Sequence, residues 1–351
     1  MKIYLINMIF LLIWAYCFKD NKKIYCTFAA LQWILLSSGR HMSVGNDTYQ
    51  YGVRFLEVRY TSWSKIFSNL FDYIKNPFAS GYEFKDPGYD LLEKIFQIFS
   101  KDYRLWLLFI AILFTVPMAV WIYKNSEMPW LSFIIYSSLF FAFYAVTGHR
   151  QTIATALIVF IGYKYIKERK LWKFLGLSLL AFLIHKSSIV FVPFYFLANM
   201  NITALKSVFI LGGSLVFSLI GKPIYAPLAY TLGFGEEQIE ESVGGAGTYA
   251  TVLLLICVFT LICYPNVKER REDSKFLYNA MFLTIFTTLF VYQQQAFMRV
   301  QQYYSLFIMI MIPEIVMSFE KRQRALVSLC GTLVLIFYII LQNPYYKFFF
   351  M

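Results

Sequence analysis

Gly39-Arg40-His41-Met42-Ser43-Val44-Gly45-Asn46-Asp47-Thr48-Tyr49-Gln50-Tyr51 is a polar run that leaves the apolar segment Ile24 to Ser38 with no linker between them. It packs basic groups, a carboxylate, a glycine and several hydroxyls into a short stretch whose surroundings are greasy. Such a run marks one wall of a site at a membrane surface. The other polar islands of the chain then read as the opposing walls.

The composition carries the membrane reading. The chain has 351 residues, 59% hydrophobic and 20% aromatic, with only 15% charged. Soluble domains carry about 25% charged residues, so there are too few charges here to cover a water-facing surface. A mean hydropathy of +0.57 agrees. Met1 to Phe18 lacks the basic start and small-residue exit of a cleavable signal peptide and is expected to be a first spanning helix. Cys17, Cys26, Cys257, Cys263 and Cys330 lie in or beside apolar runs without a C-x-x-C pair, so neither a disulfide framework nor a zinc site is expected. The net charge of +12 sits in short loops between apolar runs, where topology and lipid headgroups explain it better than nucleic acid does.

Apolar runs long enough to span, roughly 17–25 residues each, or a little short of that, fall at about 3–18, 24–39, 104–123, 129–147, 151–166, 171–185, 187–200, 207–221, 248–264, 276–293, 301–319 and 325–342. The expected fold is therefore all-α, a single polytopic membrane unit over 1–351 with about 12 transmembrane helices. The run 187–200 is the weakest of them. With both ends outside, the cytoplasmic loops collect the clustered cations: Lys19, Lys22 and Lys23; Lys124; Lys164, Lys167, Arg169, Lys170 and Lys173; Lys206; Lys268, Arg270, Arg271 and Lys275; Lys321, Arg322 and Arg324. This is the asymmetry of the positive-inside rule. The short outer loops hold isolated cations, Arg150, Lys186, Lys222 and Arg299. Topology does not require these, so they are candidates for function.

Two outer segments are long. In 40–103, Ser62–Phe71 and Tyr89–Phe99 alternate apolar and polar residues at helical spacing, and Pro87-Gly88 is a start signal for the second. Both are expected to be interfacial amphipathic helices, with Asp86, Asp90 and Glu93 on a solvated face. The other segment, 222–247, holds Glu236, Glu237, Glu240 and Glu241 before a glycine-rich stretch and reads as an acidic loop.

Three polar islands remain. Thr147-Gly148-His149-Arg150-Gln151 opens an apolar helix, where free N–H groups and a cation suit an anion. The fork of Arg150 matches phosphate oxygens. Ile184-His185-Lys186-Ser187-Ser188 lies at a predicted outer turn, and His185 is a candidate general base. All three histidines, 41, 149 and 185, fall on the predicted outer face. Tyr292 to Tyr304 surrounds Arg299 with amides and aromatic rings, including Gln301, Gln302 and Tyr303, which suit sugar hydroxyls and sugar faces. Asp47 is a second candidate base, or an ion-pair partner for Arg40 or Arg54. No phosphate-binding glycine loop or nucleophile elbow is present.

These residues resemble a family. Arg40 with Val44-Gly45-Asn46-Asp47-Thr48 and Tyr51 resembles the R-x(3)-V-G-x-D-T-x(2)-Y start of EpsG-like proteins, which belong to the Wzy-type bacterial polysaccharide polymerases. Arg150, Ala154, the basic turn Lys167–Lys170 and Ile184–Ser188 resemble the family's middle block; Arg299, Tyr303 and Pro313 resemble its late block. His41 and His149 match no family position. The resemblance implies a metal-independent membrane glycosyltransferase of exopolysaccharide, capsule or O-antigen synthesis, needing no cofactor. It would join oligosaccharide repeat units carried on undecaprenyl diphosphate, at the outer face of the cytoplasmic (inner) membrane. The implied partners are that lipid-linked oligosaccharide, membrane lipid, and a chain-length regulator and flippase of the same pathway, with no nucleic acid. The catalytic candidates are then His185, Asp47 and Arg150. The substrate-binding candidates are Arg40, Arg299, His149, Gln151, Tyr51 and Tyr303. A glycan ligase, a membrane acyltransferase and a flippase are the rival functions, but a flippase should carry charge along its spans, and these are nearly charge-free.

Overall fold

A computed structural model describes residues 1–77, 86–220, 227, 246–292 and 294–350. Most of loop 222–247, with Lys222, lies outside the described residues. Among the described residues regular structure is helical, apart from one antiparallel bridge between Arg40 and Phe348. Helices α1 (Lys2–Cys17) and α2 (Lys22–Ser38) form the hairpin that the first two apolar runs predict. The Asn21 side chain caps α2 by accepting the Ile24 N–H at 3.0 Å. Helix α6 (Tyr103–Asn125) starts on Asp102, which accepts the Arg104 N–H at 2.8 Å. It runs antiparallel to α2, since Lys22 at the start of α2 meets Glu127, just past the end of α6, at 3.0 Å.

Among the described residues, fewer continuous helices are long and apolar enough to cross than there are apolar runs. Tyr103–Asn125, Ser274–Val291 and Lys321–Gln342 are long and apolar enough to cross; Met298–Ser305 and Ile308–Ser318, bent by 41°, make a fourth if taken as one span. The remaining runs form shorter apolar helices or broken ones. Pro129–Ile135 passes into the π-helical stretches Tyr136–Phe140 and Ala142–Thr147. His149–Thr155 passes through π-helical Ala156–Ile161 into Gly162–Lys167. The run 187–200 is a 3-10 stretch, Lys186–Phe191, followed by the short helix Phe194–Leu197. Composition sees apolar length and is blind to these breaks.

A break in an apolar setting frees backbone carbonyls that must find donors. They find them on neighbouring helices. Pro313 has no N–H to give Met309, and the Ser132 hydroxyl donates to the Met309 carbonyl instead, at 2.6 Å. At the end of Ala142–Thr147, the carbonyls of Tyr144, Ala145 and Val146 accept from Thr152 (3.1 Å), Ser37 (2.6 Å) and Thr48 (3.1 Å). Those three bonds tie the Thr48 turn and α2 to the helix that carries His149.

Polar contacts gather at two ends of the helices. At one, Arg271 binds Asn125, Asp273 and Glu314, and Lys167 pairs with Asp273. At the other, Met1 donates to Pro344, the Arg40 strand residue pairs with Phe348, and Gln151 meets Arg299. The first group draws on loops expected to be cytoplasmic, the second on segments expected to lie outside.

Between α2 and α6 lie α3 (Thr48–Tyr60), α4 (Trp63–Lys75) and α5 (Pro87–Phe99). The two amphipathic stretches are thus helices, as their spacing predicts. Trp63, Phe67, Phe71 and Ile74 of α4, and Ile95, Ile98 and Phe99 of α5, face outward. The expectation of a solvated face for Asp86, Asp90 and Glu93 is corrected. Asp86 and Glu93 are buried, and Asp90 pairs with Arg54 at 2.6 Å. The reason is the solvent: with the apolar stripe turned outward, the polar stripe of α5 turns inward. Burial accordingly pushes the Glu93 carboxyl well above the usual range.

Helix α5 lies close against the end of the helix Leu171–Ile184, and Gly88 permits the approach. A Cβ there would stand 2.6 Å from the Leu183 carbonyl oxygen. Gly88→Ala should push α5 off that helix and destabilise the protein by about 1–3 kcal/mol, the usual range for overpacking. A thermal melt in detergent checks it: an unchanged midpoint would show that the contact gives way freely.

Candidate functional site

Asp86 is the hub of the site. It precedes Pro87 at the start of α5 with a left-handed backbone (φ 57°), which Asp adopts more readily than most residues. That turn aims its carboxylate at the next helix pair. One oxygen, Oδ2, accepts from Arg150 Nη1 at 2.7 Å and from His185 Nδ1 at 3.2 Å. The other, Oδ1, accepts the Lys186 backbone N–H at 3.0 Å. Burial alone would raise this carboxyl. Arg150, His185 and the Lys186 N–H outweigh it and hold the group below the usual carboxylate range.

His185 lies in the turn after Leu171–Ile184. An ionised Asp86 can only accept, so Nδ1 carries the proton and Nε2 is left as the basic lone pair. Nε2 is buried and without a hydrogen-bond partner among the described residues. Burial lowers the imidazole below its ordinary value, with Asp86 opposing only in part. Beside it, the Ser187 hydroxyl and Tyr303 Oη are 3.1 Å apart.

A second cluster sits one residue away along the chain. Arg40 is buried, at 3% exposure. Its Nη1 donates to the Ser37 carbonyl at the end of α2, its Nε reaches Thr48 Oγ1 at 3.5 Å, and its Nη2 donates to His149 Nε2 at 2.7 Å. Arginine has no acceptor, so His149 is neutral with its proton on Nδ1. That N–H points to Tyr89 Oη at 3.4 Å, which also accepts from Trp106 Nε1 at 3.2 Å.

Tyr51 joins the clusters. Its ring stacks on His149 with centroids 4.2 Å apart and planes at 15°, and its Oη accepts from Arg150 Nε at 3.3 Å. The spacing of the Gly39–Tyr51 stretch thereby gains a physical account. Arg40 clamps the end of α2, Val44 is buried, and Thr48 hydrogen-bonds Val44 and Val146. Gly45 takes φ 89° where a Cβ would meet Val146 at 2.7 Å. Tyr51 wedges between His149 and Arg150.

The structure therefore brings together Arg40, Tyr51, His149, Arg150 and His185. Arg299, at the start of Met298–Ser305, lies within electrostatic reach of Asp47, Tyr51, Asp86 and Arg150. Gln151 donates to the Arg299 carbonyl at 2.8 Å, so it holds backbone. Asp47 is half-buried at the start of α3. His41 stands apart, bonded to Ser43 within its own turn at 2.9 Å. Asp86 is the residue that sequence reasoning missed. The Pro87-Gly88 start signal marked the helix start that follows it, and nothing local tied Asp86 to Arg150 or His185.

The assembled groups can take a proton at His185 Nε2 beside a region rich in fixed cations. This combination suits attack by a hydroxyl and departure of an anionic leaving group. The family model described as EpsG family matches residues 23–350 of the chain. No curated protein and no solved structure matches it.

Proposed function

Because the chain belongs to the EpsG family, and its work accordingly lies in polysaccharide biosynthesis at a membrane, we propose that it polymerises undecaprenyl-diphosphate-linked repeat units on the outer face of the cytoplasmic membrane. The observation that carries this reading is the Asp86–His185 pair: an imidazole held through Nδ1 by a carboxylate (3.2 Å), with a buried Nε2 lone pair to offer. The acceptor sugar hydroxyl attacks the anomeric carbon that bears the diphosphate. The glycosidic C–O bond forms as the C–O bond to the diphosphate breaks. His185 Nε2 takes the hydroxyl proton, and the diphosphate leaves with the electron pair.

Arg150 and Arg299 hold the diphosphate and stabilise the charge that develops on it. Arg150, fixed by Asp86 and Tyr51 through Nη1 and Nε, offers Nη2 to a phosphate oxygen. Asp47 steadies Arg299, and Tyr303 orders the turn beside His185. Arg40 and His149 act as positioning residues, because Arg40 is bonded to the protein through all three nitrogens. Apolar runs that are nearly free of charge support chemistry at one surface over passage through the bilayer.

The test is a deletion strain restored with wild type or with Arg150→Lys. Deletion should leave single lipid-linked repeat units on the outer leaflet, and wild type should restore long chains. Lysine keeps the charge and loses the fork that bridges Asp86 and Tyr51, so Arg150→Lys should make short chains at best. Units accumulating on the cytoplasmic leaflet would identify a flippase and sink the polymerase reading. Full-length glycan from Arg150→Lys would remove Arg150 from the site.

A further inference from the structure

A cavity of about 540 Å³ lies against the Gly45–Thr48 turn, lined by Tyr4, Ser43, Asn46, Ala142, Thr147 and Tyr345 among others. Its size falls in the range of small-ligand sites, roughly 300–1,000 Å³. No Asp, Glu, Lys, Arg or His is among the residues that line it. Its lining combines hydroxyls, one amide and aromatic rings with the small or aliphatic Gly45, Ala142, Val146 and Pro344.

Two features fix its shape. Ala142, Val146 and Thr147 come from the π-helical stretch Ala142–Thr147, and such wide turns are found frequently at functional sites. The facing wall, Gly45 and Asn46, is fastened to that stretch by Thr48, which hydrogen-bonds the Val146 carbonyl at 3.1 Å. Asn46 lines the cavity, whereas the next residue, Asp47, acts electrostatically on Arg299. One short turn thus runs from an uncharged cavity to the buried cationic cluster, which Thr48 meets at Arg40 Nε.

The cavity and the charged cluster suit different chemistry. A diphosphate needs cations, and the uncharged cavity has none. A saccharide needs donors and acceptors for its hydroxyls and flat rings for its C–H faces, and this cavity supplies both. We propose that this cavity is the acceptor subsite, holding the uncharged sugar residues whose hydroxyl is delivered to the charged cluster. This rests on the polymerase reading above and divides its two substrates between the cavity and the charged cluster.

The test uses the full chain in lipid nanodiscs, titrated with the lipid-free repeat oligosaccharide released by mild acid from the host's lipid-linked pool and followed by saturation-transfer NMR. Wild type should bind it. Ala142→Trp, which fills the chamber, and Tyr345→Ala, which removes a ring from an exposed coil position, should each weaken binding roughly tenfold, the loss of about 1.4 kcal/mol. Ala142→Trp should also shorten the products made from lipid-linked substrate. His185→Ala should bind the free sugar as wild type does. No binding by wild type, or equal binding by wild type and both cavity variants, overturns the subsite. If wild type polymerises lipid-linked substrate while the cavity variants bind the free sugar normally, only the subsite fails; if wild type makes no polymer from lipid-linked substrate, the polymerase reading fails and the subsite with it.

Discussion

Asp86→Ala should abolish long-chain glycan in cells and lower the thermal midpoint of the purified protein. The carboxylate is buried and accepts three hydrogen bonds, from Arg150 (2.7 Å), His185 (3.2 Å) and the Lys186 N–H (3.0 Å). Removing it leaves a buried guanidinium without its counter-charge, a loss of about 3–5 kcal/mol. It also lets the His185 ring turn and choose its other tautomer. Asp86→Asn separates the two effects. The amide oxygen can still accept the Lys186 N–H, but the amide nitrogen then faces Arg150 and His185 with donors against donors. Asp86→Asn should therefore fold better than Asp86→Ala and be nearly as inactive. Complementation scored by glycan length, together with melts of both proteins, measures this. Long chains from Asp86→Ala would remove the hub from the site.

His185→Asn should lower the transfer rate by about 10²–10⁴, the usual contribution of a positioned base, with little loss of stability. The asparagine amide can occupy the place of Nδ1–H and keep the bond to Asp86, whereas nothing replaces Nε2. Stability alone would thus mislead, and the rate on lipid-linked substrate is the quantity to measure. The pH profile adds a readout that a structural role would not give. A base works unprotonated, so activity is retained at high pH and lost as pH falls through its pKa. Burial holds His185 below the ordinary imidazole value, with Asp86 opposing in part. The acid limb of wild type should therefore lie below about 6.5 and disappear in His185→Asn. A limb unmoved by the substitution would assign the titration to another group.

Several residues of the candidate cluster stood out in the chain order. Arg150, Arg299 and Lys186 stood out because topology does not require cations in short outer loops. Arg40 and Tyr51 stood out by their place in a polar run fused to an apolar one. Asp86 did not, because its partners Arg150 and His185 are 64 and 99 positions away. Glu93 and Asp90 misled for a related reason. Helical spacing reveals that α5 has two faces, and the same spacing serves a helix on water and a helix on lipid. Only the packing of Gln97 onto the Phe55 carbonyl, at 2.6 Å, and of Gly88 onto Leu183 tells which face turns inward.

Composition, apolar run lengths and the sidedness of Lys and Arg are local or additive properties, and they determined by themselves that this is an all-helical membrane protein with its polar groups gathered at the helix ends. The tertiary structure decided where the apolar runs break, which donors on other helices take up the freed carbonyls, and which carboxylate meets Arg150 and His185. Those outcomes depend on distances between residues far apart in the chain, and a buried charge or a freed carbonyl must be satisfied by whatever group the packing brings to it.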